Sequence, residues 1–217
     1  GLGINSIVVN PADIPTTDKE RKQKEDRRDS RKLAKDLYAG QLTGIYIPDD
    51  KAINDRSLLR SRESIVKEVR RFKQRIKSFL YFQGIRFPKH FAEETNHWSQ
   101  RFISWLESIP FEHESAKQAL QIHIESLKHE RKLLLQTTRN IRNLSRSNDY
   151  KHSVEQLISV PGIGMLTAMS ILTELVDISR FKSFHHLCSY VGFVPGTYSS
   201  GDNDKSTGIT TRKNPRL

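Results

Sequence analysis

The chain has 217 residues, with 36 Lys and Arg against 25 Asp and Glu, a net charge of +11 at pH 7 and a mean hydropathy of −0.61. That length can bury a core in one or two domains, and the surplus charge points to a polyanionic partner, nucleic acid first and an anionic membrane surface second. No apolar run approaches the roughly 20 residues that span a bilayer, no signal-peptide pattern opens the sequence, and the one cysteine, Cys188, excludes an internal disulfide framework; a cytoplasmic location without membrane association is expected.

Residues 4 to 9, Ile-Asn-Ser-Ile-Val-Val, predict a short buried strand rich in β-branched side chains. Asn10-Pro11 ends it, and Pro11 and Pro15 hold the next segment extended. A charged helix is expected from about Thr17 to Ala39, closed by Gly40, and Ile45-Tyr46-Ile47 predicts a second strand stopped by Pro48. Within the helix, Asp26 and Asp29 are three apart and share a face. Two such carboxylates can help hold Mg²⁺, a hard cation that takes oxygen ligands. Lys and Arg surround both, so a solvated charged face is the other reading.

From Leu58 to Gln83 apolar residues recur at helical spacing, with Ile65, Phe72 and Phe79 seven apart and Val69 and Ile76 between them, a heptad seam. Gly84 closes this helix. A second is predicted from Phe91 to Ser108, carrying Trp98, Phe102 and Trp105 and stopped by Pro110; a third runs from Glu112 to Ser145, with Leu120, Leu127, Leu134 and Ile141 repeating every seven. These helices should pair with one another or across a dimer. Trp98 and Trp105 either stack on bases or fill the core. The basic residues on the outer faces either line a nucleic-acid channel or form a solvated surface.

Ser145 to Ser153 is polar and reads as a linker. Residues 157 to 177 then place two apolar helical stretches around Pro161-Gly162-Ile163-Gly164. Pro161 stops the first helix, and the glycines allow positive φ and close backbone approach. The second helix begins with unpaired N–H groups, a ready phosphate site. This is the pattern of a helix-hairpin-helix that grips nucleic-acid backbone; an ordinary αα-hairpin in a core is the alternative.

Asp177 to Phe181 reads as a turn and Ser183 to Val191 as a short helix N-capped by Ser183. Cys188 follows His185 and His186, but adjacent helical residues point about 100° apart, so a buried structural cysteine is favoured over zinc. Gly192 to Gly196 breaks the helix. Thr197 to Gly208 has no apolar periodicity and reads as a mobile loop. A serine before Gly201 there can stand clear of the backbone as a nucleophile, although Ser-Gly pairs are common in plain loops.

Five stretches in order carry a family resemblance: Asn10-Pro11-Ala12-Asp13-Ile14-Pro15, Lys24 to Ala34, Pro161 to Gly164, Tyr190-Val191-Gly192-Phe193-Val194-Pro195, and Ser199-Ser200-Gly201. Together they resemble DEDD-type bacterial insertion-sequence transposases of the 110/116/902 group. The resemblance implies a mostly α chain in three parts: a remnant of a RuvC-like α/β domain over 1–50, a helical coiled-coil linker region over 51–150, and a helix-hairpin-helix transposase domain over 151–217. It implies a DNA transposase or recombinase that cuts and rejoins strands through a phosphoserine link. Asp26 and Asp29 match the last two of four Mg²⁺-binding acids. Ser200 matches the nucleophile, with Ser199 the runner-up. Gly162, Gly164, Lys205 and Arg212 are the expected DNA contacts. Further implied partners are a structured guide RNA and a second copy in a homo-oligomer. The first Asp and the Glu of the family pattern have no counterpart here, and the apolar helix that follows Asn214-Pro215-Arg216-Leu217 in the family is missing too, so truncation at both ends is expected. The alternatives are a catalytically inactive remnant that binds nucleic acid through its charge, and a coiled-coil adaptor for protein partners.

Overall fold

The computed structural model describes residues 6–14, 26–88, 91, 98–200, 203–209, 214, 216 and 217. The chain divides into two compact units, Gly1–Asp50 and Lys51–Leu217.

In the first unit, helix α1 spans Asp26–Tyr38. Gly40 ends it at φ +66°, where its N–H donates to Leu37 O (3.1 Å) and that of Gln41 to Asp36 O (2.9 Å). This is the Schellman arrangement, for which glycine is preferred. The expected start of the helix, Thr17 to Glu25, lies outside the described residues. Among the described residues neither predicted strand forms. Ser6 to Val8 and Ile45 to Ile47 have no regular structure, and one isolated bridge joins Val9 to Gly44. Ile7, Val8, Ile45 and Ile47 are each about half exposed. Two short segments that meet at one bridge and bury no face cannot sustain a sheet. Pro11–Asp13, expected to be extended, is a 3₁₀ turn.

The second unit is mostly helical. Helix α2 spans Asp50–Phe82, α3 Gln100–Ser108 and α4 Glu114–Leu144. Their apolar faces meet in one cluster that includes Val69, Ile76, Leu80, Phe102, Ile103, Leu106, Leu120, Ile124 and Leu127. The heptad positions Ile65, Phe72, Phe79 and Leu134 pack against it half-buried, so the seams close on partners in their own chain. Trp98 and Trp105 belong to the same cluster. Their rings lie 5.2 and 5.3 Å from that of Phe102, a packing role that leaves neither tryptophan as a free stacking platform. Gly84, at φ +70°, ends α2 in a second Schellman turn.

After α4 the segment read as a linker makes tight turns instead. Ser145 is buried, and helix α5 starts at Lys151 and ends at Ile158. Tyr150 pins this corner to α2: its hydroxyl donates to Asp55 Oδ2 (2.8 Å), which also accepts from Lys51 Nζ (2.9 Å). Burial, and then the bond to Asp55, push the Tyr150 phenol up to about 12. Helix α6, Met165–Leu175, and helix α7, Phe184–Val191, follow. Leu59, Ile141, Val154, Ala168 and Met169 form a second core cluster among α2, α4, α5 and α6.

The predicted loop after Val194 is a two-stranded antiparallel ribbon, β1 Pro195–Ser200 and β2 Asn203–Ile209. Thr197, Tyr198 and Ile209 favour strands, and Gly201-Asp202 is a hairpin signal that reading the segment as a loop overlooked.

Glu174 ties these pieces together. It is 3 % exposed, near the end of a helix in which it is the one charged residue. Arg60 of α2 holds it with two bonds, Nε to Oε1 (2.9 Å) and Nη2 to Oε2 (3.0 Å), and Asn214 Nδ2 donates to Oε2 (3.0 Å). The last carbonyls of α6 are filled around it. Arg56 Nε donates to Thr173 O (3.0 Å), the Tyr190 hydroxyl to Glu174 O (3.2 Å) and Arg180 Nε to Leu175 O (3.2 Å). Cations at a helix C-terminus also suit its dipole. Val176 then reverses the chain at φ 62° and ψ −70°, with Asp177 N–H donating to Leu175 O (2.8 Å). This γ-turn strains a β-branched residue by about 1–3 kcal/mol.

Burial would raise the Glu174 carboxyl, but bonds from Arg60 and Asn214 and the charge of Arg56 outweigh it and hold it below the usual range. A carboxylate depressed on folding adds stability above its unfolded pKa of about 4.3, and that stability is lost as pH falls through the folded value. Melting curves should therefore show a steep loss of stability as pH falls below about 4.3. Glu174→Gln should flatten that limb and cost about 3 kcal/mol at pH 7 by leaving Arg60 and Arg56 without their partner. Equal acid limbs for both proteins would refute the latch.

Candidate nucleic-acid interface

The turn between α5 and α6 is built by its sequence. Ile163 N–H donates to Val160 O (3.1 Å), with Pro161 and Gly162 in the corner and Gly162 at φ +91°. Pro at the second and Gly at the third position is the type II pattern. Gly162 is there for its backbone, since a side chain at that φ is strained.

Gly164 is different. It precedes α6 at φ −90° and ψ 169°, a conformation open to any residue, and a Cβ there would meet nothing within 4 Å. Its carbonyl accepts the first bond of α6, from Ala168 N–H (2.9 Å). No side chain caps the helix. The N–H groups of residues 165 to 167 therefore have no acceptor within the helix. Pro161, Gly162 and Gly164 are all exposed.

Beside this helix start lies an open cleft of about 490 Å³, lined by Met165 of α6 and by Arg142, Arg146, Lys151 and Glu155 among others. None of the three cations pairs with a carboxylate among the described residues. The dipole of α6 and these charges act in the same sense, and both favour an anion. Sequence reasoning missed Arg142, Arg146 and Lys151. Arg142 is in the last turn of α4, while Arg146 and Lys151 lay in the segment read as a linker.

Among the other expected DNA contacts, Lys205 lies on β2 opposite Tyr198, and Arg212 is outside the described residues. Ser199 and Ser200 are consecutive on β1, opposite Asp204 and Asn203, while Gly201 is outside the described residues. Consecutive positions of one strand fall on opposite faces of a ribbon.

Asp26 and Asp29 lie in the first turn of α1, both exposed. Carboxylate oxygens are the right donors for Mg²⁺, but two supply only part of the roughly six it takes. Among the described residues no group of three or more His, Cys, Asp or Glu could hold a metal. Asp26 and Asp29 thus fit as part of a ligand set and not as a whole one. His185 and His186 are exposed and Cys188 is half-buried on α7. Among the described residues no helix is long and apolar enough to cross a membrane.

Two family models match the chain. Residues 154–217 match the one described as "Transposase IS116/IS110/IS902 family", and residues 2–83 match a transposase model of the DEDD IS110 type. The protein y4qE of Sinorhizobium fredii, a transposase by name, is 32% identical over 216 residues, which is all of this chain and 50% of that protein. The transposase for insertion sequence element IS1533 of Leptospira borgpetersenii is 27% identical over 185 residues, 84% of this chain and 51% of that one. That for IS1111A of Coxiella burnetii is 24% identical over 220 residues, covering 100% and 57%. The chain thus spans about half the length of the curated relatives it matches. No solved structure matches it.

The two glycines should separate in experiment. Gly162→Ala should lower stability by about 1–2 kcal/mol through its positive φ. Gly164→Ala should change stability by no more than about 1 kcal/mol yet weaken binding to a duplex oligonucleotide if a phosphate docks at this helix start, because the new methyl group would stand in its way. Replacing Arg142, Arg146 and Lys151 together by Gln should reduce the slope of log affinity against log salt by about 2.7. Fluorescence anisotropy and melting curves read both effects; unchanged duplex binding in both variants would remove the site.

Proposed function

Because the chain belongs to the IS116/IS110/IS902 transposase family, we propose that it serves a DNA recombinase of an insertion sequence that cuts and rejoins strands through a serine. The observation that supports this most directly is the outward start of α6. It is uncapped, preceded by a glycine that the fold does not require, and flanked by Arg142, Arg146 and Lys151. Such a site grips a phosphate without reading bases, as a helix-hairpin-helix does.

In this reading Ser200 is the nucleophile and Ser199 the alternative. The Oγ–P bond forms as the P–O3′ bond breaks, the serine proton ends on the departing 3′-oxygen, and the 5′-phosphate is left joined to serine. Asp26 and Asp29 would contribute to a Mg²⁺ site whose other ligands lie outside this pair. When bound, the ion would stabilise charge developing on the phosphate oxygens. The RuvC-like character of 1–50, the coiled-coil role of α2 and α4, a guide RNA and homo-oligomer formation belong to the same proposal.

The test is a strand-joining assay on DNA carrying the element's ends, with the protein expressed from its complete reading frame. Ser200→Ala should abolish the covalent protein–DNA adduct and lower joining by at least about 10³-fold. Ser199→Ala should leave both within a few-fold. Joining at the wild-type rate by the double variant would reject the serine mechanism. Salt-sensitive DNA binding by the wild-type protein, with Mg²⁺ present and no adduct, would instead support a non-catalytic remnant.

A further inference from the structure

Helix α2 has two faces. Val69, Ile76 and Leu80 are buried, and Ile65 and Phe72 pack beside them. On the opposite side Lys67, Arg70, Gln74, Lys77 and Tyr81 follow one another at spacings of three and four, so they form one row. Lys67, Arg70, Gln74 and Tyr81 are exposed and Lys77 is half-buried.

The charge along this row is uncompensated. Glu63 and Glu68 are the only carboxylates on α2 after residue 60, and both are engaged. Glu63 Oε2 pairs with Arg216 Nε (2.9 Å) and Glu68 with Arg71. Lys67, Arg70 and Lys77 pair with no carboxylate among the described residues. Open clefts lie at both ends of the row. One, of about 430 Å³, is lined by Arg62, Lys67, Arg70 and Arg216 among others. The other, of about 520 Å³, includes Lys77, Tyr81 and Arg86.

Tyr81 is 88% exposed and Phe82, its neighbour, 83%. A tyrosine so exposed, about 6 Å along the axis beyond the last of three cations that together span about 15 Å, offers a face to an unpaired base. Cations for the backbone plus an aromatic for a base is the chemistry of single-strand binding. A duplex keeps its bases stacked inside and would leave Tyr81 unused.

We propose that this row binds single-stranded DNA, with phosphates on Lys67, Arg70 and Lys77 and a base on Tyr81. The inference rests on the recombinase reading, in which strand exchange exposes unpaired DNA, and it assigns that strand to α2 and not to the turn before α6.

The experiment measures anisotropy of labelled oligo-dT, a duplex and oligo-U on four proteins: wild type, Lys67→Gln/Arg70→Gln/Lys77→Gln, Tyr81→Ala, and Arg142→Gln/Arg146→Gln/Lys151→Gln. Circular dichroism checks that each is folded. The row variant should lose at least about 10-fold in oligo-dT affinity and about 2 in salt slope. Tyr81→Ala should lose about 10-fold on oligo-dT and nothing on the duplex. The cleft variant should show the reverse preference. Wild-type oligo-dT binding by the row variant would overturn the inference, as would equal losses on duplex and single strand. Tighter binding of oligo-U with the same residue dependence would reassign the row to RNA and overturn it too. If the cleft variant alone loses duplex binding, only this inference falls; if neither variant changes any binding, the phosphate site before α6 falls with it, while the serine mechanism stands or falls on the strand-joining assay.

Discussion

A buried carboxylate without cations beside it would carry a desolvation cost of several kcal/mol. Glu174 therefore dictates where Arg60 and Arg56 must be, and through them where α2 meets α6. The same group of side chains closes the carbonyl end of α6 with Arg56, Tyr190 and Arg180. One end of the helix is thus saturated with donors and fixed in place. The other end, about 16 Å away, is left with unpaired N–H groups beside Arg142, Arg146 and Lys151. An anion site needs rigid donors, because donors that must first be ordered lose affinity to entropy. The latch at the far end of α6 supplies that rigidity.

The long helices serve a similar division of labour. The face of α2 that carries Val69, Ile76 and Leu80 lies against α3 and α4, and each fully buried side chain contributes about 1.5–3 kcal/mol of transfer free energy. That burial permits a 33-residue helix to tolerate crowded like charges on its other side. Lys73 shows the tension between the two. Desolvation against the core, with Arg131 and Lys77 nearby, pulls its ammonium below the usual lysine range. Its Nζ lies 5.5 Å from the centre of the Trp98 ring, which offsets part of that cost.

Local patterns made much of this legible in the sequence. The heptads gave the apolar faces of α2 and α4. Gly40, Gly84 and Gly192 mark helix ends because each takes positive φ. Ser183 caps α7 by accepting from His186 N–H, as its position before an apolar helix implied. Pro161-Gly162 encodes its turn outright. Features that depend on distant partners were not legible. Arg60 and Glu174 are 114 residues apart, and nothing near either names the other. Residues 4 to 9 look like a strand locally, yet a strand needs a neighbour along its length, and among the described residues the pairing goes no further than the Val9–Gly44 bridge and the bond from Ile45 N–H to Val8 O. The ribbon that holds Ser199 and Ser200 was hidden for the opposite reason: its polar sequence lacks the apolar alternation by which strands are recognised.

That ribbon is set between fixed points. Before it, Gly192 at φ +93° ends α7, which carries Tyr190 into the latch. After it, Asn214 N–H donates to Tyr190 O (2.8 Å) and the Asn214 amide reaches both Glu174 Oε2 and the Tyr190 hydroxyl (3.2 Å). Arg216 then joins Glu63 of α2. The chain thus leaves and re-enters the same polar cluster on either side of the two serines. A two-stranded ribbon is marginal alone, but closing its ends onto a folded core lowers the entropy it must lose to form. The residue pair Glu174 and Tyr190 consequently governs both candidate elements, since it fixes the helix that would hold a phosphate and the stems of the ribbon that would attack one.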